Sequence, residues 1–415
     1  MLKKFSIYRG LPRSIYILFF VHVINRLGGF VVPFLTLYLT EKLKMNIEII
    51  GIIATISSLL IVPGSILGGM LADKVGRKKT YILAQTVSAL TLIPCAFMEN
   101  PSIIIFLILI STFFNGAVRP ALNALVVDLL PPDKRNAGFS LEYLGINIGA
   151  AFGPMIAGFL FNNHLKLFFL GDSLTSLIVV CISLIYIEET KSKVISTNLA
   201  FKEKKESGST IQAILKRPKI VIFLFIYIIY DVAYTQSNFS LPLQLNKIYA
   251  SKSSEIFGLL TSINAFTVIL LTLVITNLTK KNSPLMNISM SGVFYALGFG
   301  MIGITHYLPL LVVSTVLWTI GEILTCTNID TYLANNSPAN FRARFSALTG
   351  ISWAIGATLG TSVMSKYIHL MGINAVWPLI FVLSIIASFF ILMLNYSDYL
   401  IKVGRTCINH ITKSL

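Results

Sequence analysis

Charge is what this chain has least of. Only 12% of its 415 residues are charged, against about 25% in an ordinary soluble domain. The deficit runs along the whole length, so a single buried core does not account for it. Acidic residues are scarcest, 17 against 33 Lys and Arg, and there are only 5 His and 4 Cys. Cys95, Cys181 and Cys326 fall in apolar runs and Cys407 in the C-terminal tail, none at metal-ligand spacing. Neither a disulfide framework nor a metal site is expected. The chain also lacks a nucleotide-binding loop and a nucleophile–base motif, so an enzyme, a cofactor or an ATP-driven pump is not expected.

What fills the space is oil. Hydrophobic residues make up 55% of the chain, in runs long enough to cross the roughly 30 Å hydrocarbon layer, about 20 residues each. We read twelve spans: 14–40, 48–71, 80–98, 103–130, 138–162, 166–187, 220–246, 255–279, 285–305, 307–334, 343–367 and 374–396. The first has no cleavage-site pattern and is too long for a signal h-region, so it is expected to be a retained helix. With the N-terminus in the cytoplasm, cytoplasmic segments hold 25 of the 33 Lys and Arg and outer loops hold six. The other two, Arg26 and Arg119, lie inside spans. This asymmetry follows the positive-inside rule, with both termini cytoplasmic in a cell membrane. The net charge of +16 is therefore topological, and no nucleic-acid partner is needed to explain it.

A long polar stretch, 188–219, rich in Lys, Glu, Ser and Gly, reads as a solvated linker. It divides the chain into a six-helix bundle over 1–187 and another over 220–396, with a tail over 397–415. The halves echo each other. Arg135, Gly149 and Gly153 recur 207 residues later as Arg342, Gly356 and Gly360. Parallel repeats of this kind place a solute site between the halves near the midplane. The expected architecture is all-α, with twelve transmembrane helices in two pseudo-symmetric bundles.

Residues 69–79 read Gly-Met-Leu-Ala-Asp-Lys-Val-Gly-Arg-Lys-Lys, with five charges in the seven residues from Asp73 to Lys79. Lying between spans two and three, this segment resembles the loop signature of the major facilitator superfamily, Gly-x-x-x-Asp-x-x-Gly-Arg-[Lys/Arg]. Gly76 permits a turn and Gly69 is expected to let helices pack closely. The resemblance implies a conformational switch in which Asp73 meets the start of the eleventh helix and Arg77 pairs with Asp128. Lys78 belongs to the same signature and, like Lys79, could also bind anionic lipid. Gly149-x-x-x-Gly153-Pro154-x-x-Ala157-Gly158 resembles the antiporter motif of drug:proton exporters in that superfamily, with Ala157 in place of a usual glycine. These exporters often carry an Arg in helix four followed three residues later by Gln-Gly. Here Arg119 is followed by Pro120-Ala121-Leu122.

Charges within spans carry most of the functional signal, since one near the bilayer centre costs about 2.5–3.5 kcal/mol on insertion scales. His22, Arg26, Phe30 and Phe34 recur every four residues, a spacing that would put them on one face. That face could hold an anion or stack an aromatic solute. Tyr227, Tyr230, Asp231, Tyr234 and Asn238 would form a second stripe on span seven, suited to an amphipathic cation. Asp172 and Asp330 fall near span ends, where interfacial water suffices. Leu141-Glu142-Tyr143 and Ile320-Gly321-Glu322 resemble segments that carry proton-coupling carboxylates in exporters of lipophilic cations. Asp231 in the tyrosine stripe would carry a proton or meet the cationic solute, and the resemblance implies Glu322 and Glu142 as proton carriers. It implies a monomeric exporter that exchanges protons for an amphipathic small molecule, with membrane lipid as a further partner. A proton symporter for a sugar, peptide or organic anion is the first alternative, and a non-transporting receptor or scaffold the second.

Overall fold

A computed structural model describes residues 10–130, 135–190, 217–336 and 342–414. Among these the regular structure is helical throughout. In chain order the helices are α1 (Arg13–Gly28), α2 (Ile47–Lys74), α3 (Arg77–Leu92), α4 (Pro101–Leu129), α5 (Arg135–Asn163) and α6 (Leu165–Tyr186). They continue with α7 (Pro218–Thr235), α8 (Ser240–Tyr249), α9 (Ser253–Thr279), α10 (Pro284–Ile304), α11 (Leu308–Asn336), α12 (Arg342–Met371) and α13 (Val376–Ser414). Two compact units form. The first comprises Met1–Ala200, Asn238–Ile269 and Thr361–His369, and the second Phe201–Ser237, Leu270–Gly360 and Leu370–Leu415.

Local sequence sets the helix starts. Asn46 accepts a hydrogen bond from the Glu48 amide at the head of α2, and Asn100 accepts from Ser102 and Ile103 at the head of α4. Ser283 does the same for Met286 at the head of α10. In α4 and α10 the next residue is proline, whose missing N–H costs nothing in a first turn.

Eight helical segments among the described residues are long and apolar enough to cross a membrane, one of them running from Pro218 to Thr279. Their outer faces are greasy: Ile304 is 85% exposed and Leu278 is 76% exposed. Small polar side chains lie inside instead. Ser88 and Ser111 meet at 2.9 Å between α3 and α4, and Ser289 and Ser388 at 3.3 Å between α10 and α13. Lipid offers no hydrophobic drive between helices, so small residues and internal hydrogen bonds supply the association. This is an integral, multi-pass membrane protein.

Two expected helices are interrupted. α1 ends at Gly28, and the chain turns before a short helical segment over 35–37 and a π-helix over Tyr38–Lys42. The amides of Phe30 and Val31, freed by the break, both donate to Asp172 Oδ2 of α6, at 2.9 and 3.0 Å. Asp172 is therefore an internal anchor and not a solvated span-end residue. The second break follows Thr235, where α7 gives way to a turn and then α8. Gly28 and Thr235 are themselves 207 residues apart, as are the starts of α3 and α10, of α4 and α11, and of α5 and α12.

The repeat is also a repeat of contacts. A Cβ on Gly149 would lie 2.6 Å from Arg26 Cβ, and one on Gly153 would meet the Arg26 carbonyl oxygen at 2.6 Å, so α5 rides on α1. In the second unit, a Cβ on Gly356 would meet Asp231 Cβ at 2.3 Å and one on Gly360 would meet Thr235 Cβ at 3.1 Å, so α12 rides on α7. Gly69, in contrast, faces open space, which corrects the expectation that it packs helices together. That task falls to Gly64 and Gly68, which abut Phe113 and Ala117 of α4. Gly68→Val should destabilise the protein by about 1–3 kcal/mol through overpacking. Gly69→Ala should leave stability unchanged or raise it by up to about 1 kcal/mol. Thermal unfolding of both variants in detergent checks the contrast.

Candidate functional site

The second unit gathers two carboxylates among aromatic rings. Glu322 is the central residue of the 29-residue α11, and the Tyr234 hydroxyl of α7 donates to its Oε1 at 3.1 Å. One turn earlier on α7, Asp231 Oδ2 accepts from the Ser352 hydroxyl of α12 at 2.6 Å. The Tyr234 ring lies 6.0 Å from Trp318, 5.9 Å from Trp353 and 6.5 Å from Tyr295. Trp318 is 3% exposed, and its indole N–H has no acceptor among the described residues. Trp353 is 42% exposed.

The structure divides the tyrosine stripe of α7. Tyr227 and Tyr230 are buried. Tyr227 stacks on Phe223 at 5.7 Å, and the Tyr230 hydroxyl fills the space above Gly292. Both side chains pack the unit together. Asn238 lies beyond the end of α7, in the turn, where its carbonyl accepts from the Thr36 hydroxyl at 3.2 Å. It does not continue the stripe, because the helix stops three residues before it.

A comparable correction applies to span one. Arg26 sits in the last turn of α1 with an exposed side chain, whereas Phe30 and Phe34 follow the break. They lie 3% and 0% exposed in an aromatic cluster with Phe168, Phe161 and Phe257. The four-residue spacing does not produce one face, because Gly28 and Gly29 end the helix. Glu142 is buried in α5, and His22 Nε2 of α1 lies 3.6 Å from its Oε1. Arg119 is exposed on α4.

The charged turn is built around acids from other helices. Arg77 Nε lies 3.0 Å from Asp128 Oδ2 at the end of α4, and Thr190 donates its hydroxyl to that same oxygen at 2.7 Å. Gly76 has φ +130° and no side chain with which to cap α3. Glu189, just past α6, does so instead. Its carboxylate accepts from the backbone amides of Arg77 at 2.8 Å, Lys78 at 3.4 Å, Lys79 at 3.1 Å and Thr190 at 3.1 Å. A Cβ at position 76 would lie 2.4 Å from this carboxylate, so glycine is needed both for φ and for the approach. A negative group at a helix N-terminus also gains from the helix dipole. Lys78 Nζ donates to the Leu184 carbonyl at 2.8 Å. Asp73 lies in the last turn of α2; its side chain, and those of Arg135, Asp330 and Arg342, fall outside the described residues.

The antiporter-like segment of α5 makes contacts at both ends. Gly149 and Gly153 face α1, while a Cβ on Gly158 would meet the Ser254 carbonyl oxygen at 2.6 Å. The Pro154 carbonyl oxygen in turn would lie 2.2 Å from a Cβ on Gly258. Nearby in the first unit, Glu41 accepts from Asn246 at 2.9 Å and from Ser253, and Asn162 donates to the Ser251 carbonyl. A polar cleft of about 280 Å³ in the second unit is lined by Thr279, Lys280, Asn282, Asn287 and Asn328 among others, and by none of the carboxylates above. No group of three or more His, Cys, Asp or Glu among the described residues is placed to hold a metal ion.

Residues 18–361 match the model of the Major Facilitator Superfamily. The chain is 21% identical over 353 residues to a Na(+), Li(+), K(+)/H(+) antiporter of Planococcus maritimus, covering 79% of this chain and 82% of that one. It is 31% identical over 134 residues to the multi-drug resistance efflux pump PmrA of Streptococcus pneumoniae, 31% of this chain and 33% of the pump. Among solved structures it resembles a peptide transporter POT in complex with sulfate, with a TM-score of 0.76, 18% identity and coverage of 94% and 95%.

Sequence reasoning missed Glu189, Ser352, Trp318 and Trp353. Glu189 alone left a trace, as an acid directly after the sixth apolar run. Glu189→Gln should lower stability by about 1–3 kcal/mol, because a charged acceptor of several amides becomes neutral. Thermal unfolding should place Glu189→Asp between the two.

Proposed function

This chain belongs to the major facilitator superfamily and is a secondary transporter; from that premise we propose that it exports amphipathic organic cations in exchange for protons. The single observation that carries this reading is the Tyr234–Glu322 hydrogen bond within rings that include Trp318, Trp353 and Tyr295. Aromatic faces attract large, weakly hydrated cations. The unused Trp318 N–H offers a donor to the polar part of the same solute. A carboxyl group at the centre of a transmembrane helix is stable when it holds a proton or faces a cation, and costly when it has neither. Glu322 and Asp231 would therefore exchange a proton for the cationic solute, with Glu142 as a third proton carrier. The drug efflux pump and the cation/proton antiporter among the relatives agree with cation export.

Twelve spans with both termini in the cytoplasm would rock between inward-open and outward-open forms. Arg77, Asp128 and Glu189, with Asp73, would bias that equilibrium at the cytoplasmic end. The Glu41–Asn246–Ser253 contacts and the α5–α9 glycine contacts would hold the outer end shut. The second reading, uptake by proton symport, draws on Arg26, whose exposed guanidinium could pair with an anion.

The test is flux of a panel of cations, zwitterions and anions into everted vesicles under an imposed pH gradient. Export polarity predicts accumulation of lipophilic cations such as tetraphenylphosphonium when the lumen is acidic. Glu322→Gln should cut that accumulation by roughly tenfold or more, while leaving the cation's binding affinity within a few-fold. Unchanged coupling in this variant would remove Glu322 from the proton path, and accumulation of anions alone would reverse the assignment.

A further inference from the structure

We propose that His22 and Glu142 form a proton relay in which the imidazole loads and unloads the buried carboxylate; this rests on the proton-coupled reading above and adds His22 to it. The pair joins α1 to α5 beside a series of close glycine contacts. A Cβ on Gly145 would lie 2.8 Å from the Phe19 carbonyl oxygen, and one on Gly149 would lie 2.5 Å from that of Val23. On α1 these contacts flank His22, and they bring the two backbones close there.

The pair differs from the acids that hold this structure together. Asp172 and Glu189 each accept from two or more backbone amides, and Asp128 faces a guanidinium at 3.0 Å. Glu142 is 4% exposed, and its Oε1 meets His22 Nε2 at 3.6 Å, just beyond hydrogen-bond length. Neither atom has a hydrogen-bond partner among the described residues. A small side-chain rotation would close the gap for transfer.

Accessibility gives the order of events. The His22 side chain is 16% exposed and that of Glu142 6%, so the imidazole is the more accessible of the two. A proton from water would bind neutral His22 to give the imidazolium. Nε2–H would then pass its proton to Glu142 Oε1, leaving a neutral imidazole and a neutral carboxylic acid. Release runs the same two steps backwards. Histidine suits the first step because it alone changes charge near neutral pH without special tuning.

The other charges on the packed helices act on this relay without replacing it. Arg26 lies one turn along α1 and carries a permanent positive charge. On α5 the adjacent Tyr143 is exposed. On α6, Asp172 is committed to the Phe30 and Val31 amides and Lys166 lies at the far end. On α4, Arg119 is exposed and Asp128 is committed to Arg77.

The experiment measures tetraphenylphosphonium/proton antiport in proteoliposomes from pH 5.5 to 8.5 for wild type, His22→Gln, His22→Ala, Glu142→Gln and the His22/Glu142 double variant. His22→Gln should lower the maximal rate by at least about tenfold near neutral pH and flatten the pH profile, with KM within about twofold. The double variant should be no slower than the slower single variant, since the two residues act as a unit. Added imidazole should restore part of the His22→Ala rate. A wild-type rate and pH profile in His22→Gln overturns the relay, and so does a Glu142→Gln defect that His22→Gln does not share. In both of those results Glu322-dependent antiport persists and the proposed function stands. Absence of any antiport in the wild type sinks both. A readout independent of flux is the NMR titration of the His22 ring in labelled, purified protein, assigned by its loss in His22→Gln. The titration should change in Glu142→Gln, and an unaltered curve overturns the relay even if variants lose transport.

Discussion

The cost of an unsatisfied carboxylate in hydrocarbon governs this molecule. Moving such a group away from water is far more expensive than any single packing contact, so each acid in the helical body needs donors or a proton. Asp172, Asp128 and Glu189 are given donors, from a broken helix, a guanidinium and a helix N-terminus respectively. These three fasten α1 to α6, the charged turn to α4, and α3 to the residue stretch after α6. Asp231, Glu322 and Glu142 meet softer partners: a serine hydroxyl, a tyrosine hydroxyl and an imidazole. Those three are the acids proposed above to exchange protons.

The second governing feature is the repeat, which turns one packing solution into two. Gly149 and Gly153 let α5 lie against α1 beside Arg26, and Gly356 and Gly360 let α12 lie against α7 beside Asp231. The equivalent contacts therefore carry opposite charges. In each half the first helix also breaks at the equivalent place, after Gly28 and after Thr235. The leading helix of each half thus ends at a break beside a small-residue face, with a charged side chain a few residues before the break. A transporter needs elements that can tilt without unfolding, and smooth glycine contacts beside a break in the helix meet that need.

Much of this was legible in the sequence. Hydropathy and loop charge gave a helical membrane protein, and Gly149 and Gly356 gave the repeat, because close helix approach admits few residue types. The juxtaposition of Arg77 with Asp128 followed from a family resemblance, and the two side chains do meet. The illegible parts were tertiary. A four-residue spacing in span one pointed to a shared face for Arg26, Phe30 and Phe34, but Gly28 and Gly29 end the helix first. Asn238 falls off its expected stripe for the same reason, since a long apolar run conceals a turn, here one whose Gln236 and Ser237 amides donate to the Ala233 and Tyr234 carbonyls. Ser352, Trp318 and Trp353 carry no local pattern that marks them, and they join the site only because α11 and α12 fold against α7.

The central claim is that the softly held carboxyl groups trade protons for a cation, and proton counting tests it most directly. Purified protein in weakly buffered solution near pH 7 would be titrated with tetraphenylphosphonium while the pH of the medium and the bound cation are both recorded. The account predicts protons released in proportion to cation bound, with the release lost when Asp231 and Glu322 are both neutralised. Saturable binding that leaves the proton content of the protein unchanged would contradict it.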